Sequence, residues 1–117
     1  MNHTTNRLRF LRLKDQGAIS EFRERLKTDL KDNLITVKLF GSKATGHAQP
    51  DSDIDLFILV RRKTSKLEDH VIDTAFEVNL KYGVYISPRV VGQSVMRHPV
   101  WRLTPFLRSV QREGISV

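Results

Sequence analysis

The sequence predicts an α/β (α+β) fold, a small mixed β-sheet with helices packed against it. Three observations lead there. Three stretches carry apolar residues at helical spacing, three short runs are dominated by β-branched and large apolar residues, and turn residues separate one from the next. The order is helix, strand, strand, helix, strand, helix. The 117 residues contain no internal repeat, low-complexity tract or Gly/Ser linker, so the expectation is one domain over 1–117, with the polar residues 1–6 flexible.

Ile19, Phe22, Leu26 and Leu30 lie on one side of a helix expected over 17–33. The run 34–40 (Leu-Ile-Thr-Val-Lys-Leu-Phe) reads as a strand that ends at Gly41. A loop is expected over 42–52, punctuated by Gly46 and Pro50. The run 53–60 is a second strand, apolar at nearly every position after Asp55, which suits a central strand buried on both faces. Ser65 and Glu68 have the spacing of a capping box. The helix they open is expected to carry Leu67, Val71, Ile72, Ala75, Phe76 and Val78 on one, apolar side and to stop at Gly83. A third strand over 84–91 contains Pro88, which places it at a sheet edge or a bulge. Thr104 and Pro105 read as an N-cap and first helical residue, with Phe106, Leu107 and Val110 on the apolar side and Gly114 as the stop. Residues 115–117 add a short strand.

Composition narrows the chemistry. With no cysteine, disulfides, thiolate metal sites and thiol nucleophiles are excluded. No apolar run approaches the ~20 residues that span a bilayer, and no signal-peptide pattern opens the chain, so a cytoplasmic protein without membrane contact is expected. Twenty Lys+Arg against 13 Asp+Glu give a net charge of +7. Part of it lies in the acid-free stretch from Val78 to Arg112, part in the clusters Arg7–Lys14 and Arg61–Lys63. These clusters suit phosphates, nucleic acid or an acidic partner, or simply a solvated face.

The informative segment joins the first two strands. Asp53 and Asp55 alternate with Ile54 and Leu56, so on a strand both carboxylates project to one side. Two adjacent carboxylates repel unless a cation lies between them, and Mg2+ takes such a pair with water and phosphate oxygens as its other ligands. Gly41 permits a sharp turn whose backbone N–H groups approach an anion, and Ser42 adds a hydroxyl there. A phosphate-gripping turn beside a carboxylate pair is what metal-assisted phosphoryl or nucleotidyl transfer requires. Two rival motifs fail. Gly41-Ser-Lys-Ala-Thr-Gly46 starts like a Walker A loop but continues His47-Ala48, and Asp51-x-Asp53-x-Asp55 lacks the glycine and glutamate of an EF-hand.

Leu39-Phe40-Gly41-Ser42, followed by Asp53-Ile54-Asp55 in an apolar strand, resembles the signature of the minimal nucleotidyltransferases, within the DNA polymerase β-like superfamily. The similarity runs from about Ala18 to Val117. It implies a nucleotidyltransferase core that binds ATP or another NTP with Mg2+ (Mn2+ as the second choice). Gly41, Ser42 and Lys43 would meet the phosphates, and Asp53 and Asp55 would be catalytic and hold the metal. It also implies transfer of AMP or another NMP to a hydroxyl, with release of pyrophosphate. Members of this kind are often paired with a HEPN-domain protein in a toxin–antitoxin module.

Two departures stand out. Relatives commonly place a third carboxylate on the strand that is here 84–91, which holds no acid and offers Tyr85 or Ser87 instead. Thr45 stands where relatives often have an arginine, leaving Lys43 as the cation of that turn. Weaker catalysis with two carboxylates, an acid supplied from elsewhere, and nucleotide binding without turnover all remain open. The expected function is therefore a Mg2+-dependent nucleotidyltransferase acting on a partner protein such as a HEPN toxin. The alternatives are an antitoxin-like binding subunit that retains nucleotide, and, more weakly, a basic nucleic-acid binder. So short a chain also suits a homo-oligomer that completes the site. His47 lies in the loop beside the expected site. His3, His70 and His98 lack ligand spacing, Trp101 reads as a core anchor, and Arg89 is a further phosphate candidate.

Overall fold

A computed structural model describes residues 11–45 and 52–117. The expectations stated for residues 1–6, for Arg7 and Arg9, for His47 and the rest of the loop up to Asp51, and for the side chains of Thr45 and Trp101 lie outside the described residues.

Helix α1 (Leu13–Leu30) begins well before Gly17. Gly17 is not a start signal but a contact point: a Cβ there would stand 3.0 Å from Cε1 of Tyr82, so glycine lets that ring lie against the helix. A 3-10 turn (Lys31–Asn33) leads into β1 (Leu34–Phe40), whose limits match the sequence reading. After Gly41 the chain forms a single helical turn, α2 (Ser42–Thr45), where a loop was expected. Strand β2 (Ile54–Val60) and helix α3 (Ser65–Tyr82) follow, then β3 (Ile86–Gly92), the short helices α4 (Gln93–Arg97) and α5 (Pro99–Arg102), α6 (Pro105–Glu113) and β4 (Ile115–Ser116).

The four strands lie in the order β3-β2-β1-β4. Strand β1 is antiparallel to both β2 and β4, while β2 and β3 are parallel with α3 as their crossover. The sheet is therefore mixed, as expected, and β3 is its edge, as Pro88 foretold. Central β2 is buried on both faces. Ile54, Leu56, Ile58 and Val60 pack with Val37 and Leu39 against Ile19, Phe22 and Leu26 of α1 and Val71, Ala75 and Val78 of α3. Each such fully buried Leu, Ile or Phe contributes roughly 1.5–3 kcal/mol. On the opposite face Phe57 packs against Leu107 and Val110 of α6, with Phe40 and Phe106 beside them.

Two expectations about α3 are corrected. Its N-cap is Thr64, whose hydroxyl accepts the Leu67 N–H at 3.1 Å, and Glu68 reaches Lys63 at 3.1 Å, so Ser65 and Glu68 form no capping box. Ile72 and Phe76 are exposed rather than core, because the apolar arc of this helix is wider than the side facing the sheet. Gly83 ends α3 in the left-handed conformation, as expected (φ 65°). Thr104 caps α6, with Pro105 in its first turn. No described helix is long and apolar enough to cross a membrane.

Candidate active site

The site forms where β1 ends and β2 begins. Phe40 is the cross-strand partner of Asp55, so the turn at Gly41 lies directly beside the Asp55 carboxylate. Gly41 has φ 74°, which side-chain-bearing residues rarely adopt, and a Cβ there would be 2.5 Å from Asp55 Oδ2. Only glycine permits both the turn and the close approach. Ser42 opens α2, and the Ala44 N–H donates to the Gly41 carbonyl at 3.1 Å, closing the turn.

Asp53 and Asp55 share the sheet face covered elsewhere by α6, Asp53 exposed and Asp55 half-buried. Burial pushes the Asp55 carboxyl above its usual range. The Asp53 charge adds to this, and Arg89 partly offsets it. The pair is thus a local excess of negative charge made of hard oxygen donors, which suits a divalent oxygen-loving cation. The residues present fit a metal of the Mg2+ type.

Strand β3 supplies the rest of that face. Ser87 pairs in register with Asp55, and Arg89 with Phe57. Where a third carboxylate was missed in the sequence, a serine therefore stands next to Asp55. Among the described residues no three acidic or histidine side chains come together as a metal cluster. The Arg89 guanidinium lies 4.9 Å from the centre of the Phe106 ring, and Phe106 meets Phe40 edge-on at 5.4 Å. Stacking holds the arginine on the site's face. Beyond it, an open hollow of about 340 Å3 is lined by Lys63, Arg89, Val91, Thr104, Phe106 and Leu107. A larger hollow of about 570 Å3 lies at the opposite end of β1, among Arg23, Lys27 and Leu34, away from the carboxylates.

Lys43 follows a different course from Gly41 and Ser42. Its side chain is buried, and its ammonium meets Asp15 Oδ2 at 3.3 Å. Asp15 also receives the Arg12 guanidinium, at 3.2 and 3.3 Å. Sequence reasoning missed Asp15, which preceded the expected start of α1. An acid set among Arg12, Lys14 and other bases was the only signal.

A model of the nucleotidyltransferase domain matches residues 19–103, which include the Gly-Ser turn and both aspartates. The chain belongs to the nucleotidyltransferase family. This nucleotidyltransferase is 36% identical over 100 residues to "Putative protein adenylyltransferase MJ0141" of Methanocaldococcus jannaschii, covering 85% of this chain and 94% of that relative. A solved structure described as a putative minimal nucleotidyltransferase is 26% identical, with a TM-score of 0.53 over 87% of this chain and 94% of that one. A crystal structure of a toxin–antitoxin with AMP-PNP shares the fold at 17% identity, with a TM-score of 0.55 over 82% of this chain and 69% of that one.

Proposed function

We propose that this nucleotidyltransferase transfers AMP from ATP, bound with Mg2+, to a hydroxyl on a partner protein. The observation that carries it is the carboxylate pair set against Gly41: Asp53 and Asp55 share one face, and Asp55 is held with a raised proton affinity by burial and by its neighbour. The name protein adenylyltransferase borne by the M. jannaschii relative supports AMP and a protein acceptor. The toxin–antitoxin with AMP-PNP supports an adenine nucleotide and a toxin as that partner; that the toxin is of the HEPN kind is what the sequence resemblance implies.

Asp53 and Asp55 would hold Mg2+, which when bound supplies charge neutralisation at the phosphates. The turn at Gly41 and Ser42 orients the triphosphate, and Arg89, fixed over Phe106, adds positive charge on the same face. The acceptor oxygen forms a bond to the α-phosphorus while the bond from that phosphorus to the α–β bridging oxygen breaks. Pyrophosphate leaves with the electron pair. Ser87 occupies the β3 position in register with Asp55, so β3 supplies no carboxylate to take the acceptor proton. Lys43 acts from inside, tying the turn to α1 through Asp15.

The test is incubation with Mg2+ and ATP labelled at the α-phosphate, with and without the product of the adjacent gene. Label on that product supports the reading. ATP bound without transfer leaves a nucleotide-binding antitoxin, and no ATP binding overturns both.

A further inference from the structure

Helix α3 turns two parallel lines of side chains outward. Ile72, Phe76 and Leu80, one helical turn apart, are exposed by 50%, 62% and 71%. Asp69, Asp73 and Glu77, each three residues earlier, are exposed too and form an acidic line beside them, in a chain whose net charge is +7. Of the acidic line, Glu77 is met by Arg25 of α1 at 3.3 Å. Large apolar residues exposed side by side, with polar residues flanking them, are the pattern of an interaction surface.

The adjacent sheet edge restricts what can bind. The Ile86 N–H donates to Asn79 Oδ1 at 2.7 Å, and Asn79 Nδ2 donates to the Ile86 carbonyl at 3.3 Å. The first outward-facing pair of β3 is thus already satisfied by α3. The next outward position is Pro88, which has no N–H to offer. An added strand finds no ladder over this half of the edge. Side-chain packing is left, and a straight line of anchors at i, i+4 and i+8 over about 12 Å matches a second helix.

We propose that this face of α3 docks an amphipathic helix of a partner protein whose apolar stripe is flanked by Lys and Arg. Charge complementarity selects the occupant. A second copy docked antiparallel by the same face, about a two-fold axis perpendicular to α3, would bring acidic line against acidic line, which is repulsive. The sheet face under α3 is the one opposite Asp53 and Asp55, so an occupied α3 leaves the nucleotide site open. The partner is then tethered on the far side of the sheet, and a segment of it that reaches round the sheet edge presents its hydroxyl at raised effective concentration. This docking role rests on the reading that the acceptor is a protein.

The test uses the full chain with the product of the adjacent gene, by calorimetry and light scattering, alongside the label-transfer assay. Ile72→Ser, Phe76→Ser and Leu80→Ser together are expected to weaken the complex about 30-fold or more. They should raise KM for the partner and leave ATP affinity unchanged. Asp69→Lys with Asp73→Lys should slow association and reduce its salt dependence. Undiminished binding by the triple variant overturns the proposal. So does self-association of the wild type that the triple variant abolishes, and so does failure of the wild type to bind the product at all. A complex that depends on α3 but transfers no label upholds the docking surface and defeats the transfer reading instead.

Discussion

The ion pair between Asp15 and Lys43 gives the sharpest stability prediction, because both side chains are almost fully enclosed, at 1% and 4% exposure. Breaking a buried pair from one side strands the other charge and costs about 3–5 kcal/mol. The two sides are not equivalent here. Asp15→Leu leaves the Lys43 ammonium without its carboxylate and is expected to cost roughly that full amount. Lys43→Met leaves Asp15 still paired with Arg12, which is more than a third exposed, and should cost roughly half as much. The double variant Asp15→Leu/Lys43→Met removes the stranded charge and should recover part of the loss relative to Asp15→Leu alone. Urea unfolding at fixed pH, with thermal melts in parallel, measures all three. Because Lys43 belongs to the turn at Gly41, Asp15→Leu should also weaken ATP binding although Asp15 lies on α1. Equal losses for the two single variants, or a loss below about 1 kcal/mol for Asp15→Leu, would show that no enclosed charge is stranded, since the latter is the range of exposed pairs.

Three further predictions follow from the same geometry. Ser87→Asp places a carboxylate in register with Asp55 and should raise the initial rate of label transfer about tenfold or more, within the span general bases supply; an unchanged or lower rate would show that Ser87 does not mark the missing acid. Gly41→Ala forces a side chain into a left-handed turn against Asp55 and should cost about 1–3 kcal/mol in unfolding free energy while greatly weakening ATP binding; unaltered binding would detach that turn from the nucleotide. Hydrogen bonds from Lys81 and then Tyr82 hold Glu21 below the usual carboxylate range, while Glu21 raises both Lys81 and Tyr82. The Glu21 contribution is therefore present above the ordinary carboxylate pKa and lost as pH falls through its lowered value, and the Lys81 and Tyr82 contributions are lost as pH rises through their raised values. Glu21→Gln should flatten both arms of a melting-temperature profile, and an unchanged profile would contradict this.

Much of the fold was legible because local chemistry and tertiary packing agree. The β-branched run of β1, the left-handed stop at Gly83, Pro88 at the sheet edge and Thr104 before Pro105 each have one good physical solution, and the structure adopts it. Failures occurred where a residue serves a distant partner. Gly17 resembled a helix boundary because its real reason is the Tyr82 ring, 65 positions away. Asp15 and Lys43 meet across the chain, and no periodicity announces an ion pair. Ile72 and Phe76 continue an apolar pattern that is correct for Val71 and Ala75, and periodicity alone does not say where the buried arc of α3 stops. Asp53, Asp55 and Gly41 were legible as a constellation because strand alternation and the β1–β2 turn are local geometry. The place of Ser87 beside Asp55 became definite only with the parallel register.

Asp53 and Asp55 are proposed to serve nucleotide chemistry and not folding, and the two roles predict opposite signs. Burial and the Asp53 charge disfavour ionised Asp55, so Asp55→Asn should leave the melting temperature unchanged or raise it. Removal of a carboxylate proposed to hold the metal should lower transfer of label from α-labelled ATP by about a hundredfold or more. Initial transfer rates with Mg2+ present, and melting temperatures without it, compared for wild type, Asp53→Asn and Asp55→Asn, read the two effects separately. The expected result is rates that collapse while the fold holds or gains. Transfer persisting at wild-type rate in Asp53→Asn and Asp55→Asn would contradict the account directly.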